Sequence, residues 1–176
     1  TGDTAIGITF AEELGIQRYD MSKGPDFKGM EIKTYRSASN RSNLFSQVHN
    51  WEKSNCKNGL EILENYGYIS DGVLRLCVTV QAHIPNQQGL YFSINEEEDT
   101  LENLCSIKSD RLVVLWDLPD LRDRLEEKHP ETFWVKADVR HLDGKQYFHY
   151  KRIMHTKNPR PFAFDALVND RKITMD

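Results

Sequence analysis

Cysteine is scarce: Cys56, Cys77 and Cys105 are the only three in 176 residues, widely spaced and without a C-x-x-C pair. So odd and sparse a set excludes a disulfide framework and leads us to expect reduced thiols in a cytoplasmic chain. The six histidines show no H-E-x-x-H spacing and no paired cysteines, so a zinc site is not expected. No apolar run approaches the roughly 18 residues of a membrane span, and no charged-then-apolar leader opens the chain. Gly-rich phosphate loops of the form G-x-x-x-x-G-K-[ST] are missing, so ATP-driven chemistry would need another domain or subunit. Ser37, Ser39 and Ser42 lack a G-x-S-x-G setting, which argues against a serine hydrolase. An excess of positive charge is lacking too. With 23 Lys and Arg against 27 Asp and Glu the formal charge is −4, so a polyanion would need a local basic patch.

What is present suits a folded domain: 39% hydrophobic and 28% charged residues. Residues 1–176 are expected to form a single domain, and a start at Thr1 without Met reads as an excised domain or a shortened chain. Ile6, Phe10 and Leu14 at spacing four predict a helix over Thr4–Leu14, stopped by Gly15. Gly29–Tyr35 alternates as a strand, and Leu60–Tyr66 reads as a helix. Val73–Ala82 is rich in β-formers and predicts a central strand, with Cys77 buried inside it. Gly89–Ile94 and Arg111–Trp116 are further strands, and the acidic run Glu96–Asp99 between them is a solvated turn. Pro119 opens a polar helix ending near Lys128. Thr132–Arg140 and Gln146–Arg152 pair around Asp143-Gly144, a strong hairpin signal, and Phe162–Val168 closes the chain as a short helix. The order is mixed α/β.

One pattern carries chemistry: Pro25-Asp26, four residues, then Glu31-Ile32-Lys33. Strand alternation puts Glu31 and Lys33 on one face, about 7 Å apart, with Met30 and Ile32 turned to the core. Gly29 lets the backbone bend so that Asp26 reaches the same edge. Two carboxylates are hard oxygen ligands suited to Mg²⁺, and a lysine beside them can orient a water or offset charge on a phosphoryl oxygen. The plainer alternative is the solvated face of an edge strand.

GITFAEELGI (Gly7–Ile16), GPDFKGMEIKTYR (Gly24–Arg36) and the polar stretch ending at Leu44-Phe45 together resemble the MvaI/BcnI type of restriction endonuclease. That family is related to the mismatch-repair nuclease MutH within the PD-(D/E)xK superfamily. Detailed likeness covers the first quarter of the chain; PETFWVKADVR and KNPRPFAFDALV are similar more loosely. The resemblance implies an α/β, restriction-endonuclease-like mixed central sheet flanked by helices. It also implies a Mg²⁺-dependent enzyme that cuts double-stranded DNA at a short specific sequence. Asp26 and Glu31 would hold the metal and Lys33 would serve the attacking water.

One position departs from the family. Its members carry a glutamate three residues before the Leu-Gly that ends the first helix; here Ala11 precedes Leu14-Gly15. Glu12 is no substitute, since a helix turns about 100° per residue. Either the position never mattered, or a catalytic carboxylate is gone. The second reading leaves a catalytically dead DNA-binding or assembly module of a defence or repair complex as the alternative. A nuclease for RNA or single strands is a third. For DNA contact the candidates are Arg36 and Arg41, and the basic segment His149–Arg160 with Lys151, Arg152 and Arg160. That segment could equally balance the acidic helix Asp117–Glu127.

Overall fold

The computed structural model describes residues 5–16, 24–36, 41–108 and 111–176. Residues 17–23 and Ser37 and Ser39 lie outside the described residues. The first half of the chain runs α1 (Ala5–Glu13), β1 (Glu31–Tyr35), α2 (Gly59–Tyr66), β2 (Tyr68–Ser70), β3 (Val73–Arg75) and β4 (Leu90–Asn95). The second half runs β5 (Thr100–Cys105), β6 (Leu112–Asp117), α3 (Leu118–Lys128), β7 (Glu131–Leu142), β8 (Lys145–Lys157), a 3₁₀ turn at Pro161–Ala163 and α4 (Phe164–Asn169). The protein is mixed α/β. None of the described helices is long and apolar enough to cross a membrane. Two units divide the chain: Thr1–Ser46 with Arg124–Pro159, and Gln47–Asp123 with Arg160–Asp176.

In the first unit β1 runs parallel to β7, and β7 antiparallel to β8, giving a mixed sheet in the order β1-β7-β8. Asp143-Gly144 forms the expected two-residue turn, both residues at positive φ, with Leu142 paired to Lys145. Those signs are what a type I′ hairpin requires. Helix α1 lies close on the sheet. A Cβ on Gly7 would stand 3.3 Å from Thr34 Oγ1, and Phe10 meets Tyr150 edge-on with ring centroids 4.8 Å apart. Gly15, at φ +74°, ends the helix in a Schellman motif: Ile16 N–H donates to Ala11 O and Gly15 N–H to Glu12 O. Leu14 is therefore the capping residue and 42% exposed, and the buried side chains are Ile6 and Ala11.

The second unit holds an antiparallel sheet in the order β4-β5-β6. Its apolar centre is β6, where Val113, Val114, Leu115 and Trp116 are all buried. An irregular segment borders this strand: Asn50 and Cys56 donate their N–H groups to Leu115 O and Val113 O, and buried Ser54 accepts from Leu115 N–H.

Val73–Ala82 is not a central strand. Asp71 and Gly72 both adopt positive φ, so Val73–Arg75 folds straight back on Tyr68–Ser70 as a separate hairpin with β3 exposed along its length. Beyond it only isolated bridges remain, Val80 to Met175 and Ala82 to Phe92. Cys77 falls between β3 and the Val80 bridge and is exposed, against the expected burial. The acidic turn behaves as expected at Glu96–Glu98, which are exposed, while Asp99 pairs with Arg122.

Candidate active site

The acidic site is built by a tight turn. Lys28 at φ 49° and Gly29 at φ 82° form its two central residues, and Phe27 and Met30 exchange backbone hydrogen bonds of 2.9 and 2.8 Å across it. The chain doubles back on itself, so Asp26 faces the start of β1 and its Oδ2 accepts from Ile32 N–H at 3.1 Å. Parallel pairing of Glu31 with Thr132 then fixes the strand against β7.

Glu31 is 1% exposed. The expected burial does not hold: the glutamate is the buried residue, while Met30, Ile32 and Lys33 are all only half-buried. A carboxylate so deep needs cations, and two supply them. Lys33 Nζ lies 2.7 Å from Glu31 Oε1, and Lys128 Nζ lies 2.8 Å from Glu31 Oε2. The second contact is an ion pair outside hydrogen-bond geometry, so Oε2 has no hydrogen-bond donor. The same Lys128 ammonium is 3.4 Å from Asp26 Oδ1 and donates to Gly24 O at 2.7 Å. Asp26, Glu31 and Lys33 thus meet in one place, joined by a lysine from the far end of α3.

Neither Lys128 nor its neighbour His129 stands out in the sequence as a site residue. Lys128 looks like an ordinary cation in the last turn of a polar helix. Asp26 lies 102 residues before it, and no spacing rule connects the two. His129 is buried beside the site and stacks on Trp134 at 6.3 Å. Its Nε2 is 2.8 Å from Leu44 O and its Nδ1 is 2.9 Å from Thr132 Oγ1. A carbonyl can only accept, so the proton is on Nε2, and neutral Nδ1 accepts from the threonine hydroxyl. Burial pushes the imidazole pKa below its usual value, which favours this neutral form.

Two oxygen donors and a cation already seated between them fit a small hard ion. Mg²⁺ commonly takes only one or two protein carboxylates and fills the rest of its shell with water and phosphate oxygens. Among the described residues no group of three or more His, Cys, Asp or Glu is arranged to hold a metal; this includes the acidic turn. Ala11 is 7% exposed, and Glu12 beside it is exposed.

The basic candidates are divided. Arg36 and Arg41 flank the partly described loop after β1, Arg36 half-buried and Arg41 exposed. Lys151 and Arg152 are exposed on β8, where Lys151 is paired with Asp138. Arg160 belongs to the second unit. Among the described residues two polar contacts of this basic segment run to β7: Lys151 pairs with Asp138, and His155 Nε2 lies 3.0 Å from Glu131 Oε2.

Restriction endonuclease MvaI, solved in complex with its cognate DNA substrate, is similar in fold. The TM-score is 0.81 and the identity 20%, over 99% of this chain and 73% of that one. MvaI solved in the absence of DNA is also similar, with TM-score 0.51 and 19% identity over 99% of this chain and 80% of that one. No curated protein matches. The MvaI/BcnI restriction endonuclease family matches residues 1–176. A match over the whole length places the chain in that family: it belongs to the MvaI/BcnI restriction endonucleases, enzymes that cleave DNA.

Proposed function

We propose that this chain is a Mg²⁺-dependent endonuclease that hydrolyses phosphodiester bonds of double-stranded DNA at a short specific sequence. One observation carries the reading: the carboxylates of Asp26 and Glu31 converge on a single cation, with Lys33 on the other Glu31 oxygen. Asp26 and Glu31 would hold Mg²⁺. When bound, the ion would supply Lewis acidity at a phosphoryl oxygen and acidify a water. The rest falls to the chain itself. Burial on β1 fixes the Glu31 carboxylate, and the Ile32 amide holds Asp26 toward it. Lys33, with its side chain 21% exposed, has its ammonium on the carboxylate. From there it orients the attacking water and opposes the negative charge that builds on the phosphoryl oxygens.

Ala11 supplies no third carboxylate, and its cost falls on cleavage rather than on DNA binding. The test is digestion of mixed plasmid and phage DNA by the wild-type chain and by Ala11→Glu, with and without Mg²⁺. A discrete ladder that needs Mg²⁺ supports the proposal, and one seen only with Ala11→Glu locates the silencing at residue 11. A smear removes the sequence specificity. Binding without cutting by either chain leaves a binding or assembly module instead.

Arg36, Arg41, Lys151 and Arg152 in the first unit, and Arg160 in the second, are the proposed phosphate contacts. Binding should weaken with salt by about 0.9 in log–log slope per neutralised phosphate, and replacing Arg36 and Arg41 together should lower that slope by about 2. Lys151 should matter less than Arg152, because Asp138 already neutralises it. An unchanged slope would remove Arg36 and Arg41 from the DNA face.

A further inference from the structure

We infer that Lys128 is a resident counter-cation that keeps divalent metal off the acidic pair until DNA phosphate arrives. This rests on the proposed reading of Asp26 and Glu31 as metal ligands. Lys128 Nζ lies 2.8 Å from Glu31 Oε2 and 3.4 Å from Asp26 Oδ1, so it sits between the two oxygens a metal would use. Its side chain is only 12% exposed and is tethered by Gly24 O at 2.7 Å. An ion approaching Glu31 Oε2 has to displace it.

Charge makes that displacement unfavourable in the DNA-free protein. Two carboxylates and the ammoniums of Lys33 and Lys128 sum to zero. A divalent ion entering alone leaves the cluster two charges positive if Lys128 stays near and one if it is driven out, around a carboxylate that is 1% exposed and poorly reached by solvent. A phosphodiester changes both terms. It brings a negative charge to the cluster and offers Lys128 a new partner. A lysine ammonium is a compact charge on a flexible stem, so it can pass from carboxylate to phosphate without any backbone movement. Metal occupancy and DNA occupancy are therefore coupled through this one side chain, and DNA-free enzyme is held in a metal-poor, inactive state.

Calorimetric titration with Mn²⁺ at low salt tests the coupling. A neighbouring unit charge shifts a carboxylate's affinity for a proton by roughly 1–3 log units, and its affinity for a metal cation follows the same attraction. Lys128→Met should therefore bind Mn²⁺ at least about tenfold tighter than wild type without DNA, while Lys128→Arg, which keeps the charge, should not. Wild type should gain a similar factor when saturated with a mixed-sequence, cleavage-resistant phosphorothioate duplex, and Lys128→Met should gain less. A folded Lys128→Met that binds Mn²⁺ no tighter than wild type overturns the inference. Should that variant fail to fold, the wild-type comparison decides: Mn²⁺ affinity indifferent to the duplex overturns it equally. Asp26→Asn separates the two levels. Unchanged Mn²⁺ affinity in that variant would mean that the metal-ligand reading itself had failed.

Discussion

Each unit contains a cluster of charges, and the two are built on opposite plans. In the second unit Arg122 is gripped by two carboxylates. Its NH1 and NH2 donate to Asp99 at 3.1 and 2.9 Å, and its Nε and NH2 to Asp165 at 3.2 and 2.5 Å. Hydrogen bonds to Asp165 first, and then to Asp99, hold the guanidinium even more firmly protonated than usual. The planar fork is matched on two sides, and a guanidinium so held has little reason to move. The first unit reverses the arrangement: two carboxylates, two lysines, a glutamate that is almost wholly buried, and one of its oxygens without a hydrogen-bond donor. Lysines are point charges, exchangeable for another cation. The second cluster is saturated; the first keeps spare acceptor capacity at depth, which is what the proposed metal-binding role requires.

The two clusters should differ most at Lys33. If the first cluster is catalytic, Lys33→Ala should lower cleavage by about 10²- to 10⁴-fold, the usual size of a lost acid–base or water-positioning group. It should barely move the melting temperature, because Lys128 still faces Glu31. The measurement is a single-turnover digest beside a thermal melt, using Ala11→Glu as background if wild type does not cut. A melt lowered by many degrees would make Lys33 a structural counter-ion, and the first cluster would be of the same kind as the second.

What the sequence discloses follows from how local each feature is. The P-D…E-x-K pattern is legible because one turn and one strand build it, and Gly29 is the residue that permits the turn. The hairpin at Asp143-Gly144 is legible for the same reason. The identical dipeptide at Asp71-Gly72 escapes notice only because the β-forming run after it resembles a core strand, and nothing local says that Val73 and Leu74 stay exposed. The burial of Glu31 is hidden more deeply. Alternation fixes which residues share a face, but which face turns inward is set by α1 and β7, elements remote in sequence. Lys128 is the extreme case, since only the folded chain brings the end of α3 to Asp26.

A smaller effect should come from the saturated cluster. Arg122→Met leaves Asp99 and Asp165 facing each other without their cation. Breaking a buried pair costs about 3–5 kcal/mol. These side chains are 26%, 48% and 30% exposed, so about 1–2 kcal/mol is expected after solvent screening. For a chain of this size that is a fall of roughly 2–8 °C in Tm. Cleavage per folded molecule should not change. An undiminished Tm would show that a well-formed fork is no guarantee of structural weight, and the contrast between the clusters would lose its second half.

The smallest effect concerns the two histidines whose protonation burial disfavours, His129 beside the acidic site and His49 between Trp51 and Trp116 in the second unit. Both have pKa values lowered from 6.5 in the folded protein. The unfolded chain therefore takes up protons first as pH falls, and the stability present above pH 6.5 is lost on acidification toward the folded values. Each proton gained on unfolding tilts stability by about 1.4 kcal/mol per pH unit. His129→Gln cannot titrate but keeps an N–H for Leu44 O, so it should flatten part of the fall in Tm below pH 6.5, with His49 supplying the remainder. Melts of wild type, His129→Gln and His49→Gln across that range separate the shares. The neutral tautomer also joins Leu44 to Thr132 across the floor of the site. Acid should accordingly loosen the first cluster, where the neutral imidazole makes this link. If His129→Gln follows the wild-type profile at every pH, the imidazole is not held neutral, and the link between Leu44 and Thr132 of β7 is weaker than its two hydrogen bonds imply.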